Sequence, residues 1–210
     1  MPNRCNILEA AGRVYAKFGF RGATTRLIAI EAGVNEVTLF RTFGSKGALI
    51  EAVLKENGAQ HAHIPLPSSP TDPASELTAW VQAGLDRLRE LRPLILHAMS
   101  EREERPEADS FACQGREHAH DVLMAYATAL TKAGLADANA DIHTATVMLI
   151  SSVMGDVMAR PMVPNAFPSL EEAAARYVNC FLRAIGSATT ATQELRPRAA
   201  TSRRPSARSA

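Results

Sequence analysis

Aromatic residues, cysteines and long apolar runs are scarce in this 210-residue sequence. Aromatic residues make up 5% of the chain, and alanine and leucine fill many apolar positions, which favours helices over strands. The three cysteines, Cys5, Cys113 and Cys180, lie far apart and form no CxxC pair, so a reducing cytoplasm is expected rather than a disulfide framework. The longest apolar run, around 147–150, is too short to span a bilayer, and no signal peptide is evident. We therefore expect a cytoplasmic helical protein with no membrane association.

Charge is distributed unevenly along the chain, although the net charge is only +1. Residues 1–50 hold seven Lys and Arg against three acids, and residues 188–210 hold five Arg against one acid. Residues 51–187 are acidic, with eleven Lys and Arg against eighteen acids. This division indicates that only part of the molecule meets a polyanion.

The first sixty residues have the pattern of three short helices followed by a longer one. Residues 4–18 place apolar side chains at spacings of three and four, and Gly19 ends that stripe. Two short segments follow, 25–33 and 35–43, each opening on side chains that can cap a helix N-terminus. A longer helix is predicted over 46–60.

The two short segments have the outline of a helix-turn-helix. Gly33 permits a left-handed backbone at the end of the first helix, which a side chain would resist by about 1 kcal/mol or more. Ala29 is small enough for a close crossing, and Ile28, Val34 and Leu39 can form an apolar plug between the helices. The plug is needed because isolated helices below roughly 12 residues are marginal in water.

Twenty positions in this region resemble, in register, the N-terminal signature of the TetR family. They are Ile7, Leu8, Ala10, Ala11, Phe18, Gly19, Phe20, Thr24, Thr25, Ile28, Ala29, Ala32, Gly33, Val34, Thr38, Leu39, Phe40, Phe43, Ser45 and Lys46. The resemblance covers residues 4–55 and implies an all-α protein. Its N-terminal three-helix DNA-binding domain would carry the helix-turn-helix at about Thr24–Phe43, and a C-terminal helical bundle would serve dimerisation and ligand binding.

The predicted DNA contacts lie at the start of the first helix of the pair and along the second. Polar side chains there can read base edges, and Val37 could touch a thymine methyl. The sequence departs from the family at Phe40, where Tyr is common, and at Thr42, where His or Tyr is common; Thr42 keeps one hydroxyl donor. Lys46 could hold a phosphate with the free N–H groups of the next helix. The candidate DNA-binding residues are Thr24, Thr25, Arg26, Asn35, Glu36, Val37, Thr38, Phe40, Arg41, Thr42 and Lys46.

A proline-rich connector from 64 to 73 marks the predicted domain boundary. We predict a DNA-binding domain over 1–63, a helical ligand-binding and dimerisation domain over 64–187, and a disordered tail rich in Arg, Ser and Ala over 188–210. The helices predicted in the second domain cover 74–90, 92–104, 110–133, 138–159 and 169–186, and Pro93 separates the first two.

Two surfaces of the second domain are predicted from apolar patterns. The last two helices carry apolar stripes that could form a homodimer seam or face their own core: Val147, Ile150, Met154, Met158, Ala174, Val178, Phe181 and Ile185. The middle helices could line a pocket for an unknown small-molecule effector, with ordinary core as the alternative. The pocket candidates are Trp80, Leu88, Ile95, Met99, Phe111, His118, Val122 and Tyr126.

The resemblance implies a ligand-responsive repressor that acts as a homodimer on a palindromic operator in double-stranded DNA, without a cofactor. An enzyme is the first alternative, but GxSxG, HExxH and phosphate-binding glycine loops are absent, and the acids around Glu101 are interleaved with arginines as at a solvated helix end. No metal is predicted, because the pairs His61, His63 and His118, His120 point to different helix faces. A structural helical dimer that binds no DNA is the second alternative.

Overall fold

The computed structural model describes residues 4–59, 65–101 and 106–187, with side chains over 4–57, 65–101 and 115–187. Every regular element in these ranges is helical. The helices are α1 (Arg4–Gly22), α2 (Thr25–Ala32), α3 (Glu36–Phe43), α4 (Lys46–Ala59), α5 (Pro73–Ser100), α6 (Pro106–Lys132), α7 (Ile142–Ala159) and α8 (Ala173–Ala184), with a single 3-10 turn at Pro164–Ala166. The all-α prediction is confirmed. The predicted disordered tail, 188–210, and the pair His61 and His63 lie outside the described residues.

Apolar side chains form two cores. The N-terminal core joins α1–α4 with the second half of α5, and its largest fully buried side chains include Tyr15, Ile28 and Leu39. The body core joins the first half of α5 with α6, α7 and α8. The N-terminal core therefore extends past the predicted boundary at residue 63, because α5 contributes Leu91, Leu94, Ile95 and Ala98 to it.

Helix α5 is continuous where two helices were predicted. It runs through Pro93, so the prediction of a break between 74–90 and 92–104 was wrong. A proline inside a helix costs about 3 kcal/mol, since it removes one N–H donor and crowds a carbonyl of the preceding turn. Leu77, Val81 and Leu85 are buried in the body core, and residues 91, 94, 95 and 98 on both sides of Pro93 are buried in the N-terminal core, so packing along the whole helix offsets that cost.

A buried carboxylate ties α7 to α8. Asp156 is fully buried and accepts hydrogen bonds from Arg160 Nε at 2.6 Å and from the Tyr177 hydroxyl at 2.7 Å. Burial acts to raise the pKa of Asp156, but the hydrogen bonds from Arg160 and Tyr177 outweigh it and hold the pKa below its usual value. Arg160 also donates to the carbonyl of Pro168 at 2.7 Å, so the same cluster fixes the loop between the two helices.

The predicted seam stripe on α8 faces its own core instead. Ala174, Val178, Phe181 and Ile185 are at most 3% exposed, so of the two predicted alternatives the structure shows the protomer's own core for this stripe. Periodicity identifies an apolar face but does not say what covers it. The α7 stripe is mixed: Ile150 is buried, whereas the other three positions, 147, 154 and 158, are half-buried.

Among the described residues, α7 is the helix that is long enough and apolar enough to cross a membrane, judged by length and composition. It packs against α5, α6 and α8, and its buried side belongs to the body core. A core helix of a helical bundle can have the same composition, and 33% of this stretch is buried within the protomer.

Candidate DNA-binding surface

The turn between α2 and α3 has the geometry predicted for it. Gly33 adopts φ 65° and ψ 34°, a left-handed conformation that ends α2. The N–H groups of Gly33 and Val34 donate to the carbonyls of Ile30 and Ala29 at 3.1 and 2.9 Å, which satisfies the last carbonyls of the helix. The prediction of a glycine-dependent turn at this position is confirmed.

Side-chain caps fix the start of each short helix. The Thr24 hydroxyl accepts from the N–H of Leu27 at 3.2 Å, and the Asn35 side chain accepts from the N–H of Val37 at 2.8 Å. Both residues therefore have a structural role at the exposed N-terminal ends of α2 and α3. A helix N-terminus at this surface also presents N–H groups of the first turn, which suit a phosphate.

The predicted apolar plug holds α2 and α3 together. Ile28, Ala29 and Leu39 are at most 4% exposed, and Val34 packs against the same core. Leu39 is the buried residue of α3, and the other residues of this eight-residue helix are half-buried or exposed.

A polar contact joins the two helices at their outer edge. The Thr25 hydroxyl donates to Glu36 Oε1, and both residues are half-buried. Glu36 was predicted as a groove contact, but in the structure its carboxylate is engaged by α2. This bond holds the Glu36 carboxylate against α2, although its negative charge remains.

The outer face of α3 combines apolar and basic side chains. Val37 and Phe40 are 71% and 48% exposed, and Arg41 and Thr42 are also exposed. Val37, Phe40 and Arg41 share one side of the helix, because residues three and four apart are neighbours. The Thr42 hydroxyl donates to the carbonyl of Thr38 at 2.8 Å, so its proton is directed to the helix backbone rather than outward.

Two further basic residues, Arg26 and Lys46, lie at different places on the unit formed by α1–α4. Arg26 is exposed on the first turn of α2. The Lys46 ammonium instead donates to the carbonyl of Phe20 at 2.8 Å and stands 4.1 Å from the centroid of the Phe20 ring. Lys46 thus links the start of α4 to the end of α1, while its contact with phosphate stays a prediction.

The residues predicted for an effector pocket are not brought together. Trp80 and Tyr126 lie in or beside the body core and Val122 is half-buried on α6. Ile95 is instead buried in the N-terminal core, and Leu88 packs against both cores. Met99 and His118 are exposed, and the side chain of Phe111 lies outside the described residues. A shallow depression elsewhere on the body, between the connector and α6, is lined by Ser68, Ser69, Pro70, Ala125, Thr128, Ala129, Lys132 and Ala133, and it contains none of the predicted residues.

Sequence reasoning missed the residue that joins this unit to the body. Glu101 was interpreted as part of a solvated helix end, but its carboxylate accepts hydrogen bonds from Tyr15 and from the backbone of Phe20. The Phe18-Gly19-Phe20 motif was interpreted as the end of the first helix and as part of the family signature, and nothing in it indicated a contact with Glu101. No group of three or more metal-ligating side chains occurs within the described part of the chain.

The fold and this surface define a class of protein. A three-helix unit whose third helix is exposed, capped and preceded by a glycine turn, mounted on a separate helical core, is the architecture of helix-turn-helix regulators. Residues 7–53 match the family model described as bacterial regulatory proteins of the tetR family.

Curated relatives match over part of the chain. The chain is 40% identical over 63 residues to the HTH-type transcriptional regulator YvkB of Bacillus subtilis (strain 168), which is 30% of this chain and 33% of that protein. It is 36% identical over 62 residues to the HTH-type transcriptional repressor AcnR of Corynebacterium glutamicum, again 30% of this chain and 33% of that protein. The matched segment therefore spans one third of the length of these relatives.

Solved structures match over nearly the whole described chain. The structure of GusR from Salmonella enterica aligns with a TM-score of 0.66 and 23% identity, over 86% of this chain and 95% of that one. This likeness shows that the helical body as well as the N-terminal unit has the same fold. Residues 7–53 therefore match the N-terminal domain of the tetR family, and the described chain as a whole shares the fold of the solved structure.

Proposed function

We propose that the protein is a DNA-binding transcriptional repressor that acts as a homodimer on a palindromic operator and is released by a small-molecule effector. The observation that carries the proposal is the exposed outer face of α3, held by the Gly33 turn and backed by the N-terminal core. The match of residues 7–53 to the family and the printed names of the relatives support it.

The dimensions and chemistry of α3 fit a major groove. Eight helical residues span roughly 12 Å, about the width of that groove in B-form DNA. Val37 and Phe40 offer apolar contact for thymine methyls, and Arg41 and Arg26 are exposed cations for bases or phosphates. The bond between Thr25 and Glu36 keeps the acid of α3 engaged within the unit.

The exposed sides of α7 and α8 are the surface proposed for the homodimer. Met148 on α7 is 62% exposed beside the exposed small residues Ser151 and Ser152, and α8 exposes Cys180 and Ala184. Small side chains allow helices of two protomers to approach closely, and an exposed methionine provides apolar area to bury. A two-fold dimer would present two copies of α3 to a palindromic site.

The effector part of the proposal rests on the body core. Trp80, the single tryptophan of the chain, is half-buried and packs against that core, with Leu88 and Val122 also half-buried. A ligand that binds one arrangement of the two DNA-binding units better than the other by about 3 kcal/mol would change operator occupancy roughly a hundredfold. Ligand binding is expected to change Trp80 fluorescence, so a screen of small molecules by that signal tests this part. If every compound that lowers operator affinity leaves the emission unchanged, the effector site lies away from Trp80.

DNA binding is tested with duplexes from the regions flanking the coding sequence, by fluorescence anisotropy at moderate salt. The wild-type protein should bind one of them at least a hundredfold more tightly than random DNA. Arg41→Ala should weaken this binding by about tenfold or more, because a charged contact to base or phosphate is lost. Lys132→Ala, which also removes one positive charge but on α6, is the matched control and should bind as the wild type does.

Equal affinity of the wild type for every duplex would overturn the regulator and leave only nonspecific electrostatic binding. No binding at all would favour a structural helical dimer.

Dimerisation is tested by analytical ultracentrifugation. Met148→Glu should shift the protein toward the monomer, because a charge would be buried at the seam. Met99→Glu is the control: Met99 is 58% exposed, comparable to Met148, but lies on α5 away from the proposed seam. A wild-type monomer, or a Met148→Glu dimer of unchanged affinity, would contradict the proposed surface.

A further inference from the structure

The end of α1 and the end of α5 are joined by a carboxylate that lies 81 and 86 residues from its partners in the sequence. Glu101 Oε1 accepts from the backbone N–H of Phe20 at 2.7 Å, and Glu101 Oε2 accepts from the Tyr15 hydroxyl at 3.0 Å. Tyr15 is fully buried in the N-terminal core. Hydrogen bonds to an ionised carboxylate are stronger than those between neutral groups, so this contact constrains the position of Phe20.

Phe20 is held from its other side by the start of α4. Its carbonyl accepts from Lys46 Nζ at 2.8 Å, and the same ammonium stands over its ring. Lys46 is three residues beyond Phe43, the last residue of α3. A single residue, Phe20, therefore connects the end of α5 to the segment that directly follows the exposed helix.

Close packing leaves little room for movement beside this contact. Gly19 is buried, and its φ of 65° interrupts α1 just before Phe20. A Cβ at Gly19 would lie 2.9 Å from His97 Nδ1 on α5, and the His97 ring stacks at a tilt against Tyr15 with centroids 5.7 Å apart. The kink in α1 thus lets its last turn approach α5 as closely as the backbone allows.

Helix α5 belongs to both cores, so the contact between Glu101 and Phe20 also links the N-terminal core to the body. Its first half is buried with α6, α7 and α8, and its second half with α1–α4. A tilt of α5 within the body would therefore be transmitted to Phe20 through Glu101. Packed helices shift as rigid elements rather than deform continuously.

We propose that Glu101 is a positioning residue for DNA reading: by fixing Phe20 against α5, it sets the orientation of the α1–α4 unit on the body and hence the separation of the two α3 helices in the dimer. This inference rests on the proposed function, since it concerns how the same surface meets its operator. Glu101 acts through Phe20 and Lys46 and need not touch DNA.

A series of operators with altered spacing between half-sites tests the proposal. The wild type should bind best at one spacing and lose affinity when base pairs are added or removed. Glu101→Ala removes both hydrogen bonds, from Phe20 and from Tyr15, and should bind the preferred operator about tenfold more weakly and discriminate poorly between spacings. Its affinity for an isolated half-site should stay within about twofold of the wild type, because the outer face of α3 is unaltered.

Two controls separate positioning from a general loss of stability. Glu90→Ala removes an exposed acid of α5 that pairs with Arg87 and should keep the spacing preference. Glu101→Gln keeps an oxygen acceptor for the Phe20 N–H and should lie between the wild type and Glu101→Ala. If Glu101→Ala loses half-site affinity as strongly as full-site affinity, or keeps a sharp spacing preference, the proposal is overturned.

A measurement without DNA judges the proposal separately from the proposed function. The three native cysteines are first replaced by serine. Spin labels are then attached at Thr42→Cys on α3 and at Asp121→Cys on α6, where the side chain of Asp121 is 82% exposed. Labelled protein is diluted into unlabelled protein so that the distance is measured within one protomer. Glu101→Ala should broaden or shift the distance distribution between the labels, whereas Glu90→Ala should not. An unchanged distribution in Glu101→Ala overturns the positioning role; a wild type that binds no operator overturns the proposed function, whatever the distances show.

Discussion

Substitution of one glycine provides a direct measure of how strongly the backbone specifies the turn before α3. Gly33 has a left-handed conformation, and a Cβ built there would have no neighbour within 4 Å. The whole cost of Gly33→Ala therefore comes from backbone strain and not from steric crowding. That strain is about 1 kcal/mol for alanine and larger for a β-branched residue.

The same substitution elsewhere in the chain should have the opposite sign. Gly84 lies inside α5 with a negative φ, and a Cβ there also has no neighbour within 4 Å. Alanine in a helix interior is more favourable than glycine by about 1 kcal/mol, so Gly84→Ala should stabilise the protein. Gly33→Ala and Gly84→Ala both add one methyl group, and the two sites differ in the backbone conformation that each requires.

Thermal unfolding followed by circular dichroism measures both variants. For a chain of this length a change of 1 kcal/mol shifts the Tm by about 2–4 °C, downward for Gly33→Ala and upward for Gly84→Ala. Gly33→Asn should lose less than Gly33→Ala, since asparagine tolerates the left-handed region better. A Tm for Gly33→Ala equal to or above the wild type would show that the turn does not need this conformation, and the argument for the position of α3 would fail with it.

Two ionised groups in the body give further predictions. Hydrogen bonds from the connector and from α6 outweigh burial and lower the pKa of Glu76 to about 2 from 4.5. Its stabilising contribution is therefore present above about pH 4.5 and lost as the pH falls toward 2; Glu76→Gln should flatten the acid limb of a Tm-against-pH curve, and an unchanged limb would refute this. Asp156→Asn leaves Arg160 without its charge partner and should cost about 3–5 kcal/mol in urea unfolding. Glu172→Gln breaks an exposed ion pair and should cost under about 1 kcal/mol; similar losses for both would contradict the role of burial.

Local patterns were enough to predict the helix-turn-helix. The cap residues Thr24 and Asn35, the turn glycine Gly33 and the buried Ile28 and Leu39 all act on neighbours within a few residues or within one pair of short helices. Such effects follow from propensity, backbone geometry and spacing, so they can be predicted from the order of residues alone.

Contacts between distant segments could not be predicted in this way. The chain continues helically through Pro93 because two separate cores hold α5 on either side, and Glu101 gains its role because folding brings it to Phe20. The sequence determined the two short helices α2 and α3, including where α3 begins and ends. Only the tertiary structure decided that the α8 stripe is covered by its own protomer, and that the predicted pocket residues divide between two cores, because burial depends on which surfaces meet in three dimensions.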